Sequence, residues 1–359
     1  MRAFLTDLLR TPIFWLLVFV PILFVTEHQR PDSHTLLFLL SVLAIVPLAA
    51  LLSRATESVA ARTGDAVGGL LNATLGNLTE LVISLAALAA GQYMLVKASI
   101  AGAIVTNTLF MLGGSFLLGG LRHHTQEFNR AGARLQAGLL FLATLALLVP
   151  SVVAKADGGS GVTQTLSLWL ALLLIGTYGL SMLFTMGTHR VEFACADHGD
   201  EEALWPLPLA LGLLAGVTLL VALVSEVFVA SVQIAAVNLG LTPAFVGFVV
   251  VALVGAAAEM TSAFSAARKD RLDLSVGIAL GSASQIALFV APVLVLLSYG
   301  IGPEPMTLQF WPGAVAMMLF ATVAASLIAG SGRSAWFPGV MLLAVYTVFA
   351  LTLFLLPPA

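Results

Sequence analysis

Charge and cysteine are scarce in this 359-residue chain: charged residues make up 9% of it, and there is one cysteine. A lone thiol, Cys195, cannot close an internal disulfide or build a cysteine metal centre, and it reads as an ordinary loop thiol. No HExxH or GxSxG occurs, and no paired aspartates stand in facing segments. The six histidines (His28, His34, His123, His124, His189 and His198) all fall in loops or at the ends of apolar runs. An intramembrane enzyme therefore lacks support; no catalytic residue and no tightly bound cofactor are expected. The formal net charge of -3 says little about partners, and none of nucleic acid is expected. Phe24-Val25-Thr26-Glu27 offers no small-residue cleavage site, so the first apolar stretch reads as a retained span rather than a signal peptide.

Apolar runs are what the chain has in abundance. It is 60% hydrophobic, with segments near 12–27, 34–53, 68–91, 96–119, 135–154, 165–187, 206–236, 243–267, 274–299, 310–330 and 336–356. Most approach or exceed the roughly 20 residues that cross a bilayer as a helix, and they are continuously apolar rather than alternating, which disfavours a barrel. The expectation is an all-α polytopic membrane protein of about 11 transmembrane helices. Twelve basic residues (Arg2, Arg10, Arg54, Arg62, Arg122, Arg130, Arg134, Arg190, Arg268, Lys269, Arg271 and Arg333) would share the amino-terminal side, against Arg30, Lys97 and Lys155 on the other. That bias places the amino terminus in the cytoplasm of a bacterial-type inner membrane, with the carboxy terminus opposite.

A shift of 179 residues superposes Gly68 on Gly247, Gly76 on Gly255, Glu80 on Glu259 and Gly102 on Gly281 without a gap. Ten identities fall in residues 67–110, where chance in so apolar a composition gives roughly four. Five segments separate the copies, so the second enters the membrane from the opposite side. The expected organisation is an extra helix in 1–33, a five-helix repeat in 34–188, an acidic cytoplasmic linker in 189–205 and an inverted five-helix repeat in 206–359. Inverted repeats with polar residues near the midplane are the architecture of secondary transporters.

The repeated cassettes, LLNATLGNLTELVIS and VVALVGAAAEMTSAF, each carry a glutamate inside an apolar run. Such a glutamate costs roughly 2.5 kcal/mol or more, so a matched pair points to a shared task. Gly76 and Gly255 precede Glu80 and Glu259 by one helical turn, where a glycine lets the helix loosen and turn carbonyl oxygens toward the carboxylate. Carboxylates plus carbonyls make a hard-oxygen site that suits calcium better than zinc or copper. Two carboxylates sharing a low-dielectric pocket cannot both stay ionised without a cation, so protons should replace a departing Ca2+. Ser84 lies one turn after Glu80; Asn77, Asn107 and Gln285 can supply amide oxygens, and Ser282 and Ser284 hydroxyls. Asn72 and Asn77 serve equally as helix-to-helix glue, and small-residue packing also explains the glycines and serines of 281–285. Glu57 and Glu226, each beside a hydroxyl residue, would line the entrance, relay protons or snorkel at the interface.

GGLLNATLGNLTELVIS, residues 68–84, resembles the first signature of the calcium/proton exchangers, a branch of the calcium/cation antiporter superfamily, and GSASQIALFVAPVLVL, residues 281–296, resembles the segment after their second. The resemblance implies alternating access, with Ca2+ and H+ as the exchanged ions, Glu80 and Glu259 as the central carboxylates, and Asn107 and Gln285 as neighbours. This chain departs at the second signature: Gly255-Ala256-Ala257-Ala258-Glu259-Met260 stands where the family usually has Gly-Asn-Ala-Ala-Glu-His. A sodium-coupled calcium exchanger would share the fold and the glutamates, a cation channel would need a continuous pore, and the preference among divalent cations and self-association are left open.

Overall fold

In a bilayer every backbone polar group must be satisfied within the chain, and the apolar runs accordingly coil into helices. The computed structural model describes residues 11–63, 65–157, 160–189 and 205–356. The helices are α1 (Pro12–Gln29), α2 (His34–Arg62), α3 (Asp65–Leu75), α4 (Leu78–Ala89), α5 (Tyr93–His123), α6 (Arg130–Asp157) and α7 (Ser160–Met182). They continue with α8 (Leu207–Asn238), α9 (Pro243–Gly255), α10 (Ala257–Arg268), α11 (Leu272–Leu297), α12 (Pro312–Ala329) and α13 (Trp336–Leu355). Cys195 and most of the expected linker lie outside the described residues.

Nine helices among the described residues are long and apolar enough to cross a membrane alone, or ten if the bent pair α9 and α10 counts as one span. The third of the eleven expected segments is divided at Gly76-Asn77 into α3 and α4, neither of them that long. Apolarity continues through the break, so a hydropathy count cannot see it. The second cassette breaks at Ala256, where the axis bends by 57°. Both breaks leave a glutamate in the first turn of the following half-helix, Glu80 in α4 and Glu259 in α10, beside the positive end of its dipole.

The first helices of the two repeats, α2 and α8, pack along each other and run antiparallel, as inversion requires. Asn238 Nδ2 donates to Thr35 Oγ1 at one end, and Arg62 Nε donates to the Trp205 carbonyl at the other. The repeats interlock through α5 and α9, which cross so closely that a Cβ on Gly102 would overlap the backbone of Phe248, and one on Gly247 would crowd Ala98. A two-stranded antiparallel ribbon, β1 (Thr125–Glu127) with β2 (Arg333–Ala335), joins the α5–α6 loop to the α12–α13 loop. Gln126 pins that ribbon to the end of α10, donating to the Ala267 carbonyl at 3.0 Å and to Asp270 Oδ1 at 2.8 Å. On the opposite face an extended strap leads into α12. Its buried Met306, Leu308 and Phe310 donate their N–H groups to the hydroxyls of Ser298, Ser167 and Ser151.

Two local departures from α geometry recur at matched places. A π turn occupies Thr106–Met111 in α5, with Asn107 inside it, and another Ile286–Val290 in α11, directly after Gln285. Single π turns inside α-helices gather at functional positions because they re-aim side chains and loosen the backbone ladder.

Candidate functional site

The two breaks bring the cassettes together. Glu80 is 9% exposed and its carboxyl lies against the Gly255 backbone: a Cβ added there would stand 3.0 Å from Glu80 Cγ and 3.1 Å from Oε1. Gly76 faces Gln285 in the same manner, with Oε1 3.2 Å from its built Cβ. Each glycine of the cassettes thus makes room for a polar side chain of the other repeat. Glu259 is half-buried, within electrostatic reach of Glu80 and Glu57 and within hydrogen-bonding reach of Ser282.

The neutral groups form a chain across the site. Asn107 Nδ2 donates to Ser282 Oγ at 2.8 Å, Ser282 donates to Asn77 Oδ1 at 2.8 Å, and Asn77 Nδ2 donates to Gln285 Oε1 at 2.7 Å. Three acceptor oxygens nearby make no hydrogen bond: Glu80 Oε1, Glu259 Oε2 and Asn107 Oδ1. Leaving one such atom unsatisfied costs about 1–3 kcal/mol, more for a charged group. Acceptors gathered without donors suit a hard cation or protons. A small cavity of about 10 Å³ beside Glu80, room for a single water, is lined by Ser84 and Ser99 among apolar side chains of α5, α9 and α11.

The structure therefore gathers Glu80, Glu259, Gly76, Gly255, Asn77, Asn107, Ser282, Gln285 and Ser84. Glu57 is exposed on α2, accepts a hydrogen bond from Ser53 at 3.2 Å and lies within electrostatic range of Glu259. Glu226 is exposed on α8. Ser284 turns away and donates to the Gln136 carbonyl. Asn72 is exposed, on the far side of the break from Glu80. Among the described residues no three His, Cys, Asp or Glu side chains cluster as metal ligands. Ser99 lines the cavity with no counterpart in either cassette, and spacing alone gives no sign of it.

Close contact between Gly255 and Glu80 sets a test of the packing. The Gly255→Ala protein should remain folded, because the carboxyl can yield by a few tenths of an ångström. If Glu80 is a calcium ligand, displacing it should weaken calcium binding by about tenfold, as faulty support of a metal ligand does. Equilibrium binding of radioactive calcium to the purified protein measures it, and an unchanged affinity would show that the contact does not position Glu80.

Residues 33–187 and 209–355 match the family described as sodium/calcium exchanger protein. A Ca(2+)/H(+) antiporter of Synechocystis sp. is 41% identical over 361 residues, covering 95% of this chain and 96% of the relative. The Ca(2+)/H(+) antiporter ChaA of Bacillus subtilis is 39% identical, covering 89% of this chain and 92% of its own length. Among solved structures, native YfkE superposes with a TM-score of 0.83 at 35% identity, over 96% of this chain and 100% of that one.

Proposed function

Because the chain belongs to the sodium/calcium exchanger protein family, we propose that it is a secondary active transporter exchanging Ca2+ for H+ by alternating access. The observation that carries this is the seating of Glu80 against Gly255, which brings the carboxylate of one repeat onto the helix break of the other, beside Glu259. A divalent ion would neutralise the pair, and protons would replace it when it leaves. Relatives at about 40% identity over nearly the whole chain carry the name Ca(2+)/H(+) antiporter, which supports protons rather than sodium as the counter-ion.

Glu80 and Glu259 would bind the ion directly, and the neutral oxygens would come from Asn77, Asn107, Ser282, Gln285 and the carbonyls freed at Gly76 and Gly255. We read the exposed Glu57, with Thr261 and Ser262 exposed on α10, as the mouth through which ions reach the half-buried Glu259. The excess of Arg and Lys on one side supports a cytoplasmic position for that mouth and the amino terminus in a bacterial-type plasma membrane. The strap before α12 then covers the opposite face. The chain would divide into an extra helix in 1–33 and functional halves in 34–188 and 206–359.

Reconstituted vesicles test the exchange. An imposed pH gradient should drive uptake of radioactive calcium and collapse with a protonophore, and replacing sodium by an inert cation should leave the flux unchanged. Flux that needs sodium would assign the chain to sodium-coupled exchange, and flux that follows membrane potential alone would make it a channel.

A further inference from the structure

A second cavity, of about 310 Å³, lies where α5, α6 and α12 meet the strap, on the face opposite the proposed mouth. Its size is at the small end of ligand sites. Tyr93, Lys97, Ser151, Gln309, Trp311 and Pro312 are among the side chains that line it, and the exposed Gln309 and Pro312 leave it open at the surface. Lys97 stands one turn inside α5, half-buried, and gives one of the three donors of an ammonium to Thr307 Oγ1 at 3.3 Å. No carboxylate pairs with it among the described residues. A cation held in a span without a counter-charge is costly, and such residues face a wet cavity or a functional partner. The 179-residue shift puts the buried Val276 at the matched place, so this lysine has no part in the repeated cassettes.

The other polar groups of the wall divide into engaged and free. Tyr93 Oη accepts the Glu304 N–H at 2.8 Å and donates to the Glu304 carbonyl at 2.6 Å, while Ser151 Oγ accepts the Phe310 N–H and donates to the Leu147 carbonyl. These bonds hold the strap as a preformed wall. Gln309 and Trp311 make no side-chain hydrogen bond among the described residues, so an amide and an indole N–H remain available on the same wall as the ammonium. Pro312 opens α12 without a side-chain cap, which adds the positive end of an eighteen-residue helix. We propose that this cavity binds a phosphate group, held by Lys97 as its counter-ion. A phospholipid headgroup and free phosphate share that chemistry; Tyr93 and Trp311, aromatic types that gather at headgroup level, favour an anionic phospholipid of the leaflet on that face. Bound there, the lipid would tie α5 to the strap and α12. The site is separate from the carboxylate pair and does not rest on the exchange reading.

Native mass spectrometry of purified wild type, K97Q and K97R with added phosphatidylglycerol tests this, alongside unfolding midpoints with and without the lipid and equilibrium binding of radioactive inorganic phosphate. K97Q should need about tenfold more phosphatidylglycerol than wild type for the same occupancy, the loss of one charge-assisted bond to phosphate. K97R keeps the charge and should bind as wild type does. The lipid should raise the unfolding midpoint of wild type and leave that of K97Q in place, since only a ligand of the native state stabilises it. Binding of inorganic phosphate that depends on Lys97, without lipid retention, would uphold the site and assign its source to the free ion. Equal lipid retention and equal midpoint shifts in wild type and K97Q, with no phosphate binding that depends on Lys97, would overturn the proposal. If K97Q elutes as aggregate, K97M takes its place. If neither folds, wild type decides: one saturable site that prefers phosphatidylglycerol to diacylglycerol, which lacks the phosphate, supports the proposal, and equal retention of the two overturns it.

Discussion

Vesicles carrying Glu80→Gln or Glu259→Gln protein should show no proton-driven calcium uptake above protein-free background. Glutamine keeps the shape and one amide oxygen but gives up both the negative charge and the proton that the carboxylate would exchange in the proposed cycle. A divalent ion taken from water into this interior must have its charge met by ionised partners, since an uncompensated buried charge costs far more than the few kcal/mol a neutral oxygen returns. With one carboxylate removed the site can no longer be neutralised alternately by Ca2+ and by protons, so the loss should appear in turnover and not only in affinity. Glu80, 9% exposed beside Gly255, and Glu259, half-buried beside Ser282, differ in surroundings but would serve the same role in the proposed exchange. Both variants should elute as monodisperse protein, and near-normal flux through either would refute the role assigned to the pair.

Gly102→Ala should destabilise the protein strongly, whereas Gly281→Ala, at the matched position of the other repeat, should be almost silent. The added methyl at 102 would overlap the carbonyl, Cα and carbonyl oxygen of Phe248, all backbone atoms that cannot rotate aside. Overpacking a filled interface costs about 1–3 kcal/mol, and a backbone-to-backbone clash belongs at or beyond the top of that range. Around Gly281 nothing stands within 4 Å of the same methyl. Thermal unfolding in detergent, followed by loss of monodisperse elution, separates the outcomes; equal midpoints for the two variants would show that the α5–α9 crossing is looser than described.

Much of this site is legible in the sequence because buried polar residues are costly enough to be conspicuous. Glu80 and Glu259 stand out from apolar surroundings, and their glycines sit one turn ahead; the structure puts each glycine under a polar side chain of the other repeat. The break at Gly76-Asn77 has a local cause, a residue pair of low helix propensity. That at Gly255-Ala256 has only the glycine, since alanine is the best helix former, and the bend there accompanies tertiary packing of Glu80 against Gly255. The bond from Asn77 to Gln285 joins residues 208 positions apart, and no periodicity announces it. Matched positions also come to differ: Gly68 crowds Ala60 of its own repeat, while Gly247 crowds Ala98 of the other, so equal residues report unequal environments. The count of spans suffers for a similar reason, because hydropathy runs unbroken through a helix that geometry divides.

The interlocked crossing of α5 and α9 bears on how the protein is made. A chain inserted into the membrane from its amino end presents Gly102 long before Phe248 has left the ribosome, and strand β1 before β2. The early helices must therefore wait, spanning the bilayer with their inner faces incompletely covered, until the later ones thread into the same crossing. Contacts between sequence-distant segments form slowly and leave such intermediates prone to wrong partners. Biogenesis, rather than the finished molecule, is where damage to this crossing should first be felt.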